Sequence, residues 1–102
     1  MNVVLHLDSA IAIDPSNADE HKYTGLAQEK LGRADLAEEH LKTAIRLKPQ
    51  GLGYHLALAE FYEPRGKIKQ AIREFEAELS LTSGDAELKK HIEKLQRTDR
   101  QQ

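Results

Sequence analysis

From Val3 onward the apolar residues fall at Val3, Val4, Leu7, Ala10 and Ile11. Steps of three and four place them on one helical face, so the spacing predicts a helix over residues 2 to 13. Asp14, Pro15, Ser16 and Asn17 interrupt it: Pro15 disfavours helical angles at Asp14, and Ser16 with Asp19 three residues on has the form of a capping box. A second helix is expected over about 18 to 31, ended by Leu31 and Gly32, where the glycine can take the left-handed conformation that follows many helices. A third runs through Leu36, Leu41, Ala44 and Ile45 to about Leu47, and Pro49 closes it. The fourth passes through Tyr54, Leu58, Phe61 and Tyr62 to a turn at Gly66, and the fifth through Ile68, Ala71, Ile72, Phe75 and Leu79. Pro64 cannot donate to the carbonyl of Glu60, so the fourth helix should stop or kink about a turn early, with a longer connection after it. Ser83, Gly84 and Asp85 start a last helix whose narrow apolar stripe is Leu88, Ile92 and Leu95. RTDRQQ is expected to fray. Strand patterns are absent from the sequence.

These elements recur with a fixed period. His21, Gly32, Ala37 and Leu41 return 34 residues on as His55, Gly66, Ala71 and Phe75. Ile11, Ile13 and Pro15 return as Ile45, Leu47 and Pro49, then more loosely as Leu79, Leu81 and Ser83. A constant period of this length marks a helical repeat array, and short turns between short helices require antiparallel neighbours.

The pattern resembles the tetratricopeptide repeat, a helix-turn-helix unit. In residues 18–51 the family's small residue of the first helix is matched by Gly25, its turn glycine by Gly32, and its second-helix run by Ala37, Leu41, Ala44 and Pro49. In residues 52–85 the same slots hold Ala59, Gly66, Ala71 and Phe75, with Tyr62 at the usual tyrosine. The resemblance implies an all-α fold of antiparallel hairpins stacked as a short right-handed superhelix, an α-solenoid. The chain then reads as one domain: a half repeat over 2–15, repeats over 18–51 and 52–85, a capping helix over 86–98 and a frayed tail over 99–102. His21 and His55 stand where many members have tryptophan, and Thr24 and Gln28 replace a leucine and a tyrosine, which predicts a looser first unit. Glu78 occupies a slot that takes a small residue when another hairpin follows, as fits a final solvating helix. The half repeat lacks its partner helix, so either the chain is a fragment of a longer array or something else covers Val3, Val4 and Leu7.

Composition narrows the function. Fifteen basic against 17 acidic residues in 102 give a net charge of −2, the wrong balance for a nucleic-acid surface or attraction to an anionic membrane. RNA-reading helical repeats have similar hairpins, but this charge and the 34-residue spacing count against them. Without cysteine there is no disulfide, thiolate metal site or thiol nucleophile. The start, MNVVLHLDSAIAI, has no basic leader, carries His6 and Asp8, and is too short to span a bilayer, so a soluble, cytoplasmic protein is the default expectation.

His21 and His55, at equivalent places in adjacent hairpins, would lie on the order of 10 Å apart, too far for one zinc at about 2 Å from each. They are read as packing positions, and no metal or cofactor is expected. Glu38, Glu39 and His40 point in different directions from one helix and read as a solvated face. Phosphate loops, nucleophile elbows and paired histidines at helical spacing are absent, so no enzyme is expected. Leu36, Leu41, Ile45, Leu58, Phe61, Ile68, Ile72, Phe75 and Leu79 are read as core.

Function is therefore expected on the surface that the family lines with first helices. By resemblance the lining is Asp19, Lys22, Leu26, Glu29 and Lys30 from the first unit, Leu56, Glu60 and Glu63 from the second, and Lys90, Lys94 and Arg97 from the last helix. Leu26 and Leu56 are apolar anchors, and the charges around them set orientation and register. The family's clamp for the terminal carboxylate of heat-shock chaperones needs asparagines where Leu26 and Ala57 stand, although Lys22 matches a clamp lysine, so that clamp is expected to be absent. The leading reading is a module binding a peptide or partner protein. Self-association through Val3, Val4 and Leu7 as a homo-oligomer, and a docking part of a larger enzyme, are the rivals.

Overall fold

The computed structural model describes residues 16–101. The expected first helix, with Val3, Val4 and Leu7, lies outside them. Among the described residues there are five α-helices and no strand: α1 (Ala18–Lys30), α2 (Ala34–Leu47), α3 (Tyr54–Tyr62), α4 (Ile68–Leu81) and α5 (Ala86–Arg100), with a 3₁₀ turn over Glu63–Arg65 after α3. The fold is all-α, as the periodicity requires. Its contacts divide it into two compact units that meet in sequence at Tyr54 and His55.

In the first unit α1 begins at Ala18, where the spacing puts it, but with a different cap from the one expected. Asn17 is extended, and its side-chain oxygen accepts the Glu20 backbone N–H at 3.1 Å, so Asn17 rather than Ser16 satisfies the open end of the helix. Asp19 and Glu20 in the first turn and Lys30 in the last complement the helix dipole. At the other end Gly32 takes φ +78°, the Gly32 N–H donates to Glu29 O at 3.0 Å, and Arg33 N–H reaches back to Gln28 O at 2.9 Å. That left-handed stop turns the chain into α2 within three residues. The hairpin closes on Gly25, where a Cβ would lie 3.0 Å from Leu41 Cγ and 3.1 Å from Ala37 O. Ala37, Leu41 and Ala44 are fully buried on the facing side of α2. Leu36 was expected beside them and is instead 43% exposed, because one residue of helical rotation carries it about 100° off the Ala37–Leu41–Ala44 line. Thr24 and Gln28 are buried, and neither Thr24 Oγ1 nor Gln28 Oε1 has a hydrogen-bond partner among the described residues. A second small cluster joins Ala18, Ala44 and Tyr54, with Ile45 against it.

In the second unit Pro64 acts as expected on α3. The helix ends at Tyr62, two residues before the place equivalent to Lys30, and the last turn tightens to 3₁₀ geometry over Glu63–Arg65. The connection is longer, residues 63–67 against 31–33 between α1 and α2, yet α4 still starts at Ile68, in register with Ala34. Arg65 covers this altered turn: its guanidinium lies 4.0 Å from the centre of the Phe61 ring and donates to Phe61 O at 2.8 Å. Phe61, Leu58, Ala59, Ala71 and Phe75 form the buried face. Asp85 caps α5 by accepting the Leu88 N–H at 3.1 Å. Leu88, Ile92 and Leu95 are its buried stripe. Helical geometry persists to Arg100, beyond the boundary expected at residue 98, with Arg97 and Arg100 in the last turn, where the dipole favours cations.

Candidate functional site

The predicted surface residues of α1 are placed outward: Lys22, Leu26 and Glu29 are half-exposed and Lys30 is exposed. Two of the residues expected on this surface are held in place. The Tyr54 hydroxyl donates to the Asp19 carboxylate, and the Lys22 ammonium lies 5.9 Å from the centre of the Tyr54 ring and 5.6 Å from that of Tyr23, within reach of a cation–π attraction. Tyr54 is 4% exposed. The hydrogen bond to Asp19, then burial, then the negative charge of Asp19 push its phenol up to about 12, so it stays neutral and donating. Asp19 thus ties the start of α1 to the start of α3 within this unit. A hollow of about 200 Å³ beside it is lined by Asn17, Asp19, Leu47, Lys48 and Tyr54, among others.

In the second unit the three predicted residues of α3 and its turn, Leu56, Glu60 and Glu63, converge. With Phe75 of α4 and Glu87, Leu88 and His91 of α5 they line a hollow of about 430 Å³. Its base is apolar, from Leu56, Phe75 and Leu88, and its other residues are three glutamates and a histidine. His91 Nε2 stands 2.7 Å from Glu63 Oε1, and its ring meets Phe75 edge to face, centres 5.0 Å apart at 83°. Lys90, Lys94 and Arg97 of α5 are exposed and do not line the hollow. Sequence reasoning missed Glu87 and His91. The signal available was their spacing of four beside Leu88, which puts all three near one edge of the apolar stripe of α5.

Glu78 holds the backbone of Leu56, one of the residues that line this hollow. It is 4% exposed and its Oε1 accepts the Leu56 N–H at 3.3 Å. A buried carboxylate at the open end of α3 satisfies a donor and meets the positive end of the helix dipole. The slot that takes a small residue elsewhere here carries a cap supplied from the neighbouring helix.

Each histidine read as a packing position has its own partner 19 residues on. His21 Nδ1 lies 3.2 Å from His40 Nδ1, and His55 Nδ1 lies 2.7 Å from Glu74 Oε1. His40 and Glu74 are themselves 34 residues apart, so one bridging slot repeats in both hairpins. His21 is buried and His55 half-buried. Among the described residues no group of three or more potential ligands could hold a metal ion, and no helix is long and apolar enough to cross a membrane.

No family profile matches the chain. A protein O-mannosyl-transferase of Caenorhabditis elegans is 28% identical over 87 residues, which cover 85% of this chain and 13% of that protein. Among solved structures, the thermophilic TPR protein TTC0263 of Thermus thermophilus superposes with a TM-score of 0.80 at 28% identity, over 90% of this chain and 47% of that one. MamA superposes with a TM-score of 0.74 at 26% identity, over 82% of this chain and 49% of that one. The first TPR domain of Spaghetti (RPAP3), solved with a bound HSP90 peptide, reaches 0.80 at 17% identity over 93% of this chain and 77% of its own, a likeness of fold. The chain therefore spans about half of the Thermus protein and about an eighth of the transferase. In the register of its sequence and in its fold, the chain is similar to tetratricopeptide-repeat proteins.

Proposed function

We propose that the chain is a protein-interaction module that holds a peptide segment of a partner against the exposed faces of its hairpins' first helices. Lys22, Leu26, Glu29 and Lys30 supply the contacts in the first unit, and Leu56, Glu60 and Glu63 those in the second. The observation that carries this reading is the convergence of Leu56, Glu60 and Glu63 on one hollow with an apolar base. Half-exposed leucines beside fixed charges suit a contact in which apolar anchors supply affinity and charges set register. The RPAP3 domain, of like fold and solved with an HSP90 peptide bound, supports a peptide-binding reading. Lys90 and Lys94 are exposed on α5 outside the hollow and are left out of the proposed contact.

The test is capture from a lysate by the native chain and by a Leu26→Arg, Leu56→Arg double variant whose helicity is first matched by circular dichroism. A protein retained by the native form and lost by the variant supports the reading. Equal retention by both rejects these faces as the binding surface.

A second reading is favoured by the likeness to part of an O-mannosyl-transferase: the residues would be the docking part of a larger enzyme, with catalysis elsewhere. The complete coding sequence tests it, and an open reading frame that holds these residues alone would reject it.

A further inference from the structure

The hollow of the second unit pairs an acidic rim with an apolar base. Glu60 and Glu87 are exposed, and among the described residues neither makes an ion pair. Glu63 is engaged at one oxygen by His91 and keeps a second. Lys90 and Lys94 sit on the same helix as Glu87 but outside the lining, which holds three glutamates and no lysine or arginine. The volume, about 430 Å³, falls within the span of about 300–1,000 Å³ common to ligand sites.

We propose that this hollow takes a segment of a partner protein in which an arginine or lysine stands beside a leucine-sized apolar residue. The inference rests on the interaction reading above and names the chemistry of the partner. The apolar residue covers Leu56, Phe75 and Leu88, while the cation's aliphatic stem lies along the same base and its head reaches Glu60 and Glu87. Arginine suits the pair best, because its planar fork donates to carboxylates two bonds at a time. An acidic segment would set carboxylate against carboxylate and be repelled.

The experiment uses the whole chain on three immobilised peptide libraries with random flanks and a fixed centre of Arg-Leu, Ser-Leu or Glu-Leu. Retention is expected in that order. The best-retained Arg-Leu peptide should weaken about tenfold against a Glu60→Gln, Glu87→Gln double variant, two exposed charge pairs being lost. Both sites are exposed and both changes nearly isosteric, so the fold should survive, as circular dichroism would verify. Against Lys90→Ala, Lys94→Ala the same peptide should bind equally or more tightly. Equal or better retention of Glu-Leu, or loss of binding in the lysine variant alone, overturns the assigned chemistry while leaving the interaction reading in place. Retention of no library overturns the assigned chemistry, and the lysate capture then decides the broader reading.

Discussion

Replacing Tyr54 by phenylalanine removes one hydroxyl from a site where its value can be worked out. The phenol is buried, donates to Asp19, and is pushed from 10 up to about 12. Two pKa steps at about 1.36 kcal/mol each give a ceiling of about 2.7 kcal/mol. Asp19 is exposed, and water around it screens the interaction, so the expected loss is about 1 kcal/mol, the net value of an ordinary hydrogen bond. The pH dependence has a definite sign. A folded-state value above the unfolded one makes the contribution complete below pH 10 and removes it as pH rises through about 12, because the unfolded phenol gives up its proton first. Urea titrations followed by circular dichroism should therefore show Tyr54→Phe less stable than the native chain at pH 7 and pH 9, with the gap closing towards pH 12. A gap that is absent at pH 7, or that widens with alkali, would refute the reasoning.

Three other substitutions probe separate features. Thr24→Val removes a buried hydroxyl that lacks a partner and should stabilise by about 1 kcal/mol in the same titration; destabilisation would mean that the hydroxyl is satisfied in solution. Gly25→Leu drives a side chain into Leu41 and the Ala37 carbonyl, with an expected cost of about 2 kcal/mol or more and a lower melting temperature. Glu78→Ala leaves the Leu56 N–H without its carboxylate and should cost about 1 kcal/mol, as loss of a cap does, with faster amide exchange confined to the first turn of α3.

Much of the fold was legible because repetition restricts it. Two copies of the same spacing fix where helices start, and Ala34 and Ile68 open α2 and α4 in register even though Pro64 disturbs the turn before one of them. Leu36 was misread because apolarity shows only that a residue can be buried; the rotation of about 100° between Leu36 and the Ala37–Leu41–Ala44 face decides whether it is. The cap is Asn17 and not Ser16 for a similar reason: both side chains can accept a backbone N–H, and the backbone decides which one does. The roles of Glu78, His40 and Glu74 depend on contacts 19 to 22 residues away, and no local pattern announces them. The surface residues were legible as positions on helices. That Leu56, Glu60 and Glu63 share a hollow with Glu87 and His91 depends on how α5 packs on α4, which periodicity alone does not specify.

The most direct test of the interaction account is an amide NMR titration of the whole chain with the segment of the captured partner. The account predicts saturable shifts at Leu56, Glu60 and Glu63, with no response from exposed Leu36 on α2. Shifts that never saturate, or that centre on α2 and leave the second unit's hollow unmoved, would contradict it.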